Sequence, residues 1–430
     1  MAVTDAGIQS PLVVGAEPSA GGRSPDRPGW RHRVRRGLLV AAVAMLVPAG
    51  ASYVQAMLGR SNTSLGIRSV EWLRDHGAAG LVSQIESTYY TLTAPSKGGP
   101  GLRALPQVGF AAAPPSSPGP ARHSVRRYRP PNIRPALHPA FAGEGVWHPA
   151  RPGEGANAPV LLTTLRSEPD YPRLVAGVAW VDTSRSTVAL QPGLSEPAVS
   201  GIPRGGAEIP VPARHDLLAS FNSGFKLKDA AAGSGVVLGG HTYAPMEKGV
   251  ATLLRGADGH VDVRAWSGGP VAPAGTAFAR QNLPLIVSGG HRNPNLSDGP
   301  EWGFTLHNAV RVWRSGVGVD RRGNLLYAAA SDQTVGSLAD ILIRAGAVRA
   351  MELDINSYWV SFITYAGLGG SSPRNLLSGM NRSPQRYLSP DDRDFFYVYA
   401  GAPAALRREQ RRRAAAAVAG RATAPGVLAP

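Results

Sequence analysis

Between Gly145 and Gly401 the chain breaks into short apolar runs closed by turn-forming residues, and that rhythm constrains the fold more than any other feature. APVLLTTLRS, RLVAGVAWVDTS, STVALQPG, LLASFNSGFK, GVATLLRG, HVDVRAW, LPLIVSGG, WGFTLHN and AVRVWRSGVGVD follow one another, separated by turns such as Arg255-Gly256-Ala257-Asp258-Gly259 and Arg321-Arg322-Gly323-Asn324. Runs of this length, rich in branched and aromatic residues and bounded by Gly, Asp and Asn, read as strands. One helical pattern interrupts them: VGSLADILIRAGA places Leu338, Ile341, Leu342 and Ala345 at helical spacing and stops at Gly346. The prediction is an α+β, sheet-dominated mixed domain over 145–401 with a βαβ unit near its C-terminal part. A strand at Asn324–Ala330, the helix and a strand from Val348 compose that unit, whose second strand is expected to be central and parallel.

The stretch after the helix, VRAMELDINSYWVSF from Val348 to Phe362, carries polar residues that need a reason. If Ala350 to Asn356 is one strand, Met351, Leu353 and Ile355 face one way and Glu352, Asp354 and Asn356 the other. Two carboxylates on an interior strand must be paired or used, because buried charge is costly; an edge strand with a wetted face is the alternative. Residues two apart on one face lie about 7 Å apart at the backbone, within the range of acid and base carboxylates in glycoside hydrolysis.

Three more constellations fall at strand ends. In Phe221-Asn222-Ser223-Gly224-Phe225, Asn222 either satisfies a local turn or points its amide into a cleft. Ser288-Gly289-Gly290-His291 offers backbone amides to a ligand, or simply turns the chain. Arg314, inside the apolar run VWRSGVGV, needs a carboxylate or phosphate partner. Gly316 and Gly318 leave one face of that run bare, with room for a neighbouring group or a sugar. No phosphate-loop pattern, HExxH helix or GxSxG elbow is present, and the ten histidines are scattered. With no cysteine, thiolate metal sites and cysteine nucleophiles are excluded. No metal and no cofactor is expected.

Upstream, residues 1–36 are expected to be a disordered cytoplasmic segment ending in the arginine cluster Arg31 to Arg36. Gly37 to Leu58 then runs without a charge, long enough to span a bilayer with its arginine side in the cytoplasm. Ala49-Gly50-Ala51 also resembles a cleavage site, so the segment is either a single-pass anchor or a removed signal. Residues 59–94 read as a helical stalk, 95–144 as a Pro/Ser/Arg-rich linker and 402–430 as a basic tail. Much of the +16 net charge sits in the terminal clusters, which speaks against nucleic acid as a partner. Oligomeric state is open.

Taken in order, FNSGF at Phe221, VSGG at Val287, RSGVG at Arg314, the helix ending Arg344-Ala345-Gly346-Ala347 and ELDIN at Glu352 resemble the phosphodiester glycosidase family over roughly residues 158–400. That family's pattern is an Asn-Gly-Gly-Phe-Phe-like turn, a Ser-Gly-Gly segment, an Arg-x-x-x-Gly strand, a βαβ unit and Leu-Asp-Gly-Gly-Gly-Ser. Ser223, and Ile355, Asn356 and Ser357 after the aspartate, depart from it and imply a different ligand or a tighter cleft. The resemblance implies Asn222, Arg314 and Asp354 as site residues, with Gly224 and Gly318 as backbone positions. Glu352 and Asn356 rest on the strand-face reading, Ser288 and Gly289 on the glycine-bearing strand end.

The resulting expectation is an envelope-anchored hydrolase of a glycosyl phosphodiester or related glycan. Asp354 and Glu352 would share acid, base and cation-stabilising duties, Arg314 would hold phosphate, and Asn222 and Asn356 would bind sugar hydroxyls. A non-catalytic wall-glycan binder on the same fold is the alternative, and an envelope-assembly scaffold a third.

Overall fold

The structure is a computed structural model that describes residues 30–78, 80–82, 84–85, 95–99, 101–106, 108, 128–228, 233–297, 299–303 and 310–401. The expected disorder of 1–29 and the basic tail from 402 lie outside those residues, as do the middle of the linker and most of the WGFTLHN run. Two compact units divide the chain, Met1–Leu58 and Gly59–Pro430. In the first, α1 (Trp30–Leu58) takes in the arginine cluster and the uncharged stretch, with Pro48 inside it. It is the one helix among the described residues long and apolar enough to cross a membrane.

The second unit opens with α2 (Leu65–Leu73). Its strands begin with β1 (His148–Pro149), β2 (Val160–Glu168), β3 (Tyr171–Val181) and β4 (Ser186–Gln191), after which comes the short α3 (Val211–Arg214). Then follow β5 (Leu217–Asn222), β6 (Val236–Leu238), β7 (His241–Ala244), β8 (Ala251–Arg255), β9 (Val261–Ala265), β10 (Phe278–Gln281), β11 (Leu285–Ser288) and β12 (His291–Arg292). Last come β13 (Val312–Val319), β14 (Leu325–Gln333), α4 (Val335–Arg344), β15 (Arg349–Glu352), β16 (Phe362–Tyr365), β17 (Pro373–Asn375) and β18 (Phe395–Ala400). They form a large sheet in the order β1-β2-β3-β14-β13-β15-β11-β12 and two smaller ones, β17-β16-β5-β18-β4 and β7-β6-β10-β8-β9. The mixed, sheet-rich α+β class is as expected.

The period-two pattern of each long strand serves two cores. On β14, Leu326, Ala328 and Ala330 pack with Leu338, Ile341 and Leu342 of α4. Their neighbours Leu325, Tyr327 and Ala329 face the other way, into a core shared with Phe221, Phe362 and Phe396 of one small sheet and Leu253 and Phe278 of the other. The large sheet is therefore covered on both sides. α4 begins at a capping box, in which the Thr334 hydroxyl accepts from the Ser337 N–H and the Ser337 hydroxyl accepts from the Thr334 N–H, both at 3.0 Å. It ends before Gly346, whose φ of 101° suits glycine.

The βαβ unit differs from expectation in its pairing. β15 is interior, but its neighbours β13 and β11 both run antiparallel to it. β13 already forms a hairpin with β14 across the Asp320–Asn324 turn, so α4 carries the chain over β13 to that strand's free edge. β15 thus shares β14's direction without pairing with it. Gly316 and Gly318 make room for this crossover rather than for a sugar. A Cβ on Gly318 would lie 2.6 Å from the Arg349 carbonyl oxygen, and one on Gly316 would press on Leu338 and Leu342.

Two upstream segments pack onto this unit. Glu71 pairs with Lys226 and Asp75 with Lys228, so the segment expected as a stalk is docked at α2 and the turn that follows it. The end of the expected linker is also folded: Ile133 is buried, and Glu144 forms a buried pair with Arg166 at 2.8 Å.

Candidate functional site

β15 ends at Glu352, earlier than alternation predicts, and the cause is local. The Asp354 carboxylate Oδ1 accepts the Asn356 N–H, and the Asn356 Oδ1 accepts the Tyr358 N–H, both at 2.9 Å. Two successive Asx turns draw the backbone out of the strand. Backbone bonds from Leu353 to Ser315 and from Ser315 to Asp354 still tether the segment to β13. Met351 and Leu353 face the inter-sheet core as the alternation predicts. The two carboxylates behind them turn to different partners.

Glu352 is fully buried, and its Oε1 accepts from Arg314 Nη1 at 2.6 Å. Oε2 has no hydrogen-bond partner among the described residues. Burial pushes this carboxyl up to about 7, Arg314 opposing and Asp354 adding to the rise. Asp354, also buried, accepts from Arg393 Nη2 at 2.9 Å through Oδ2. Burial raises its pKa too, against the pull of Arg393.

Arg314 has little left for a phosphate. Besides Glu352 it donates to the carbonyls of Gln333 at 2.9 Å and Trp302 at 3.1 Å, and to Val310 at 3.5 Å. The partner that its buried position demands is Glu352 itself. The expected phosphate-holding role meets a guanidinium already engaged.

Asn222 is likewise committed. Its Oδ1 accepts from the Tyr327 hydroxyl at 2.9 Å and the Ser361 N–H at 3.0 Å. Its Nδ2 donates to the Ser315 hydroxyl at 3.0 Å and the Ser223 carbonyl at 2.8 Å. With two donors and two acceptors matched, the side chain ties the facing sheets together and keeps nothing for a sugar hydroxyl. Gly224, two residues on, does reach the site: its carbonyl accepts from Arg393 at 2.9 Å. A Cβ there would lie 2.7 Å from Asn282, whose amide donates to the Glu352 carbonyl at 2.8 Å.

Ser288 and Gly289 lie elsewhere. They belong to the exposed turn between β11 and β12, where Gly289 and Gly290 take φ of 61° and 82°. Ser288 pairs with Arg349, at the far end of β15 from Glu352, roughly 10 Å along the strand. Gly318 is displaced along β13 in the same direction, opposite Ala350. Asn356 stays beside Asp354, half-buried, held by its own turn.

The structure adds residues that the sequence reading did not single out. Arg393 joins Asp354 and Gly224, and its guanidinium lies 5.2 Å from the Trp359 ring. Arg386 and Arg382 lie 5.1 and 5.3 Å from the same ring, so three guanidiniums surround one indole. Arg386 pairs bidentately with buried Asp391, at 2.6 and 3.1 Å. Burial alone would raise the Asp391 carboxyl, but Arg386 and Arg382 outweigh it and hold the group below its ordinary value. The signal lay in Asp391-Asp392-Arg393-Asp394, a charged run placed directly before the aromatic β18. No group of three or more metal-ligating side chains occurs among the described residues.

No family model and no curated protein matches the sequence. Among solved structures, the catalytic domain of zebrafish N-acetylglucosamine-1-phosphodiester alpha-N-acetylglucosaminidase, auto-inhibited by pro-peptide, aligns at 15% identity and a TM-score of 0.40. That match covers 58% of this chain and 85% of the other. A hypothetical protein from Synechocystis aligns at 16% identity and a TM-score of 0.32, over 56% of this chain and 62% of its own. A Burkholderia pseudomallei protein named as exported aligns at 13% and 0.27, over 55% and 75%. These values mark a distant likeness of fold, and no residue role follows from them.

Proposed function

We propose that the sheet domain is a hydrolase of a glycosyl phosphodiester or related glycan, allied to the phosphodiester glycosidases. The supporting observation is Glu352: a fully buried carboxyl that burial pushes up to about 7, anchored through one oxygen and with the other unpaired among the described residues. Such a group holds a proton near neutrality and can give it away, as a general acid must. Asp354, one residue removed and backed by Arg393, supplies the second carboxylate of the pair.

In this reading water adds its oxygen to the anomeric carbon as the bond to the phosphate oxygen breaks, releasing sugar and a phosphomonoester. Asp354 stabilises the cationic sugar and takes up the proton that the attacking water gives up, while Glu352 protonates the departing oxygen. Arg314 keeps Glu352 in place. The α1 segment then serves as a single-pass anchor with the sheet domain outside the cytoplasm, or as a signal removed on export; the mass of the mature protein decides between these.

A second reading, a non-catalytic glycan binder, draws on Ile355. This side chain is buried against Gly303, where the family pattern has glycine after its aspartate. A panel of chromogenic glycosyl phosphodiesters tests both. The hydrolase is expected to lose ~100-fold or more in kcat on Glu352→Gln or Asp354→Asn while still binding ligand. A wild-type protein that binds the panel and cleaves none of it refutes the enzyme.

A further inference from the structure

The acids and the leucines of α2 sort to opposite sides. Over α2 and the turn after it, residues 65–78, the carboxylates are Glu71 and Asp75, and they turn to Lys226 and Lys228 of the sheet domain. On an α-helix Leu65 and Leu73 share a side and Glu71 lies opposite. Both leucines are exposed, Leu65 at 62%. The helical residues 80–82 and 84–85 repeat the division: Val82 is buried, while Leu81 and Ile85, one turn apart, are 61 and 64% exposed. A single exposed leucine is ordinary. Here the outward side of two consecutive helical segments is apolar, and the acids of α2 and its turn are spent on the domain.

We propose that Leu65, Leu73, Leu81 and Ile85 lie in the headgroup region of the bilayer that α1 crosses. The occupant follows from the sequence: the uncharged stretch ends at Leu58, and only six residues, 59–64, separate α1 from α2. A chain anchored through α1 therefore delivers α2 to the membrane surface. Arg60, exposed in the intervening stretch, suits the phosphates of that surface. Leucines freed of neighbouring carboxylates can enter the acyl boundary without carrying charge into it. The contact rests on the anchor reading of α1.

The same helix adjoins the candidate site. Glu71 pairs with Lys226, two residues after Gly224, whose carbonyl accepts from Arg393, the partner of Asp354. The Asp354 carboxyl, raised chiefly by burial, is raised further by Glu71. Seating α2 on lipid therefore holds the carboxylate pair near the bilayer through the Glu71–Lys226 and Arg393–Asp354 pairs, where membrane-borne glycan is the substrate within reach.

The test uses the full chain reconstituted in vesicles of phosphatidylcholine and phosphatidylglycerol. The protein has no cysteine, so Leu65→Cys, Leu81→Cys, Val43→Cys and Val271→Cys variants each carry one fluorophore at one position. Val43 reports on α1, and Val271, 70% exposed between β9 and β10, is an apolar control away from α2. Lipids spin-labelled near the headgroup should quench the labels at Leu65 and Leu81 roughly twofold or more, beyond lipids labelled at the chain end. The Val271 label should stay bright, and the Val43 label should respond most to the chain-end probe. Quenching at Val43 with none at Leu65 or Leu81 overturns the contact and leaves the anchor standing. Quenching at Leu65 and Leu81 with none at Val43 upholds the contact and refutes the anchor. Quenching at Val271 equal to that at Leu65 overturns the assignment to this face, and so does a blue shift at Leu65 without lipid quenching, which marks a protein partner instead.

Discussion

Replacing Glu352 by glutamine should change how stability depends on pH, in a direction and by an amount that follow from burial. In the folded protein this carboxyl is pushed from the ordinary 4.5 to about 7. Between those values the folded state holds a proton that the unfolded chain has released, so it binds more protons than the unfolded state. Stability must therefore fall as pH rises through that window. Integrating the linkage from about pH 5 to about pH 8 gives a loss of about 2–3 kcal/mol from this one group. In a domain of this size that is on the order of 5 °C in Tm. The glutamine side chain keeps an amide oxygen for Arg314 Nη1 and has no proton to lose, so the variant's profile should lack this component. Urea unfolding of wild type and Glu352→Gln across that pH range isolates the difference, since all other groups titrate in both. Parallel profiles would mean that Glu352 is ionised throughout, and the proton-donor assignment would fail with it.

Arg393→Met should leave the Asp354 carboxylate buried without its cation, at a cost of about 3–5 kcal/mol near neutral pH. The loss should shrink in acid, where Asp354 takes up a proton, and denaturation midpoints at two pH values check it. Gly318→Ala should drive a methyl against the Arg349 carbonyl oxygen, costing about 1–3 kcal/mol. It is expected to lower the urea midpoint with an unchanged m-value.

Much of this was legible because the physics is local. Alternation along Leu325-Leu326-Tyr327-Ala328 assigns one residue to the helix side and the next to the inter-sheet core, and the helix from Val335 announces itself through Thr334, Ser337 and its apolar stripe. The pairing of β15 was not legible, since an apolar strand carries no mark of which neighbour it will meet, and β13 had claimed β14 first. The end of β15 was hidden for a related reason. Asp-Ile-Asn has the period of a strand and also the side chains that build Asx turns. Gly289-Gly290 suits a ligand loop and a tight hairpin equally, and the hairpin is what forms. Arg314 was recognised as needing a carboxylate or phosphate, but Glu352, 38 residues away, emerges as its partner only when β13 and β15 are adjacent. Arg393 and Asn222 act through contacts with distant segments, where no spacing rule operates.

The crossover of α4 over β13 also sets an order of assembly during synthesis. Arg314 and Glu352 belong to one continuous stretch, β13 through β15, so their pairing can form as soon as that stretch has emerged and closed. Asp354 waits for Arg393, which leads into β18, and β18 docks between β5 and β4, strands made long before it. Until then one carboxylate has its cation and the other does not. The Asp354–Arg393 pair is therefore completed after the Arg314–Glu352 pair, once β18 has been made and has docked.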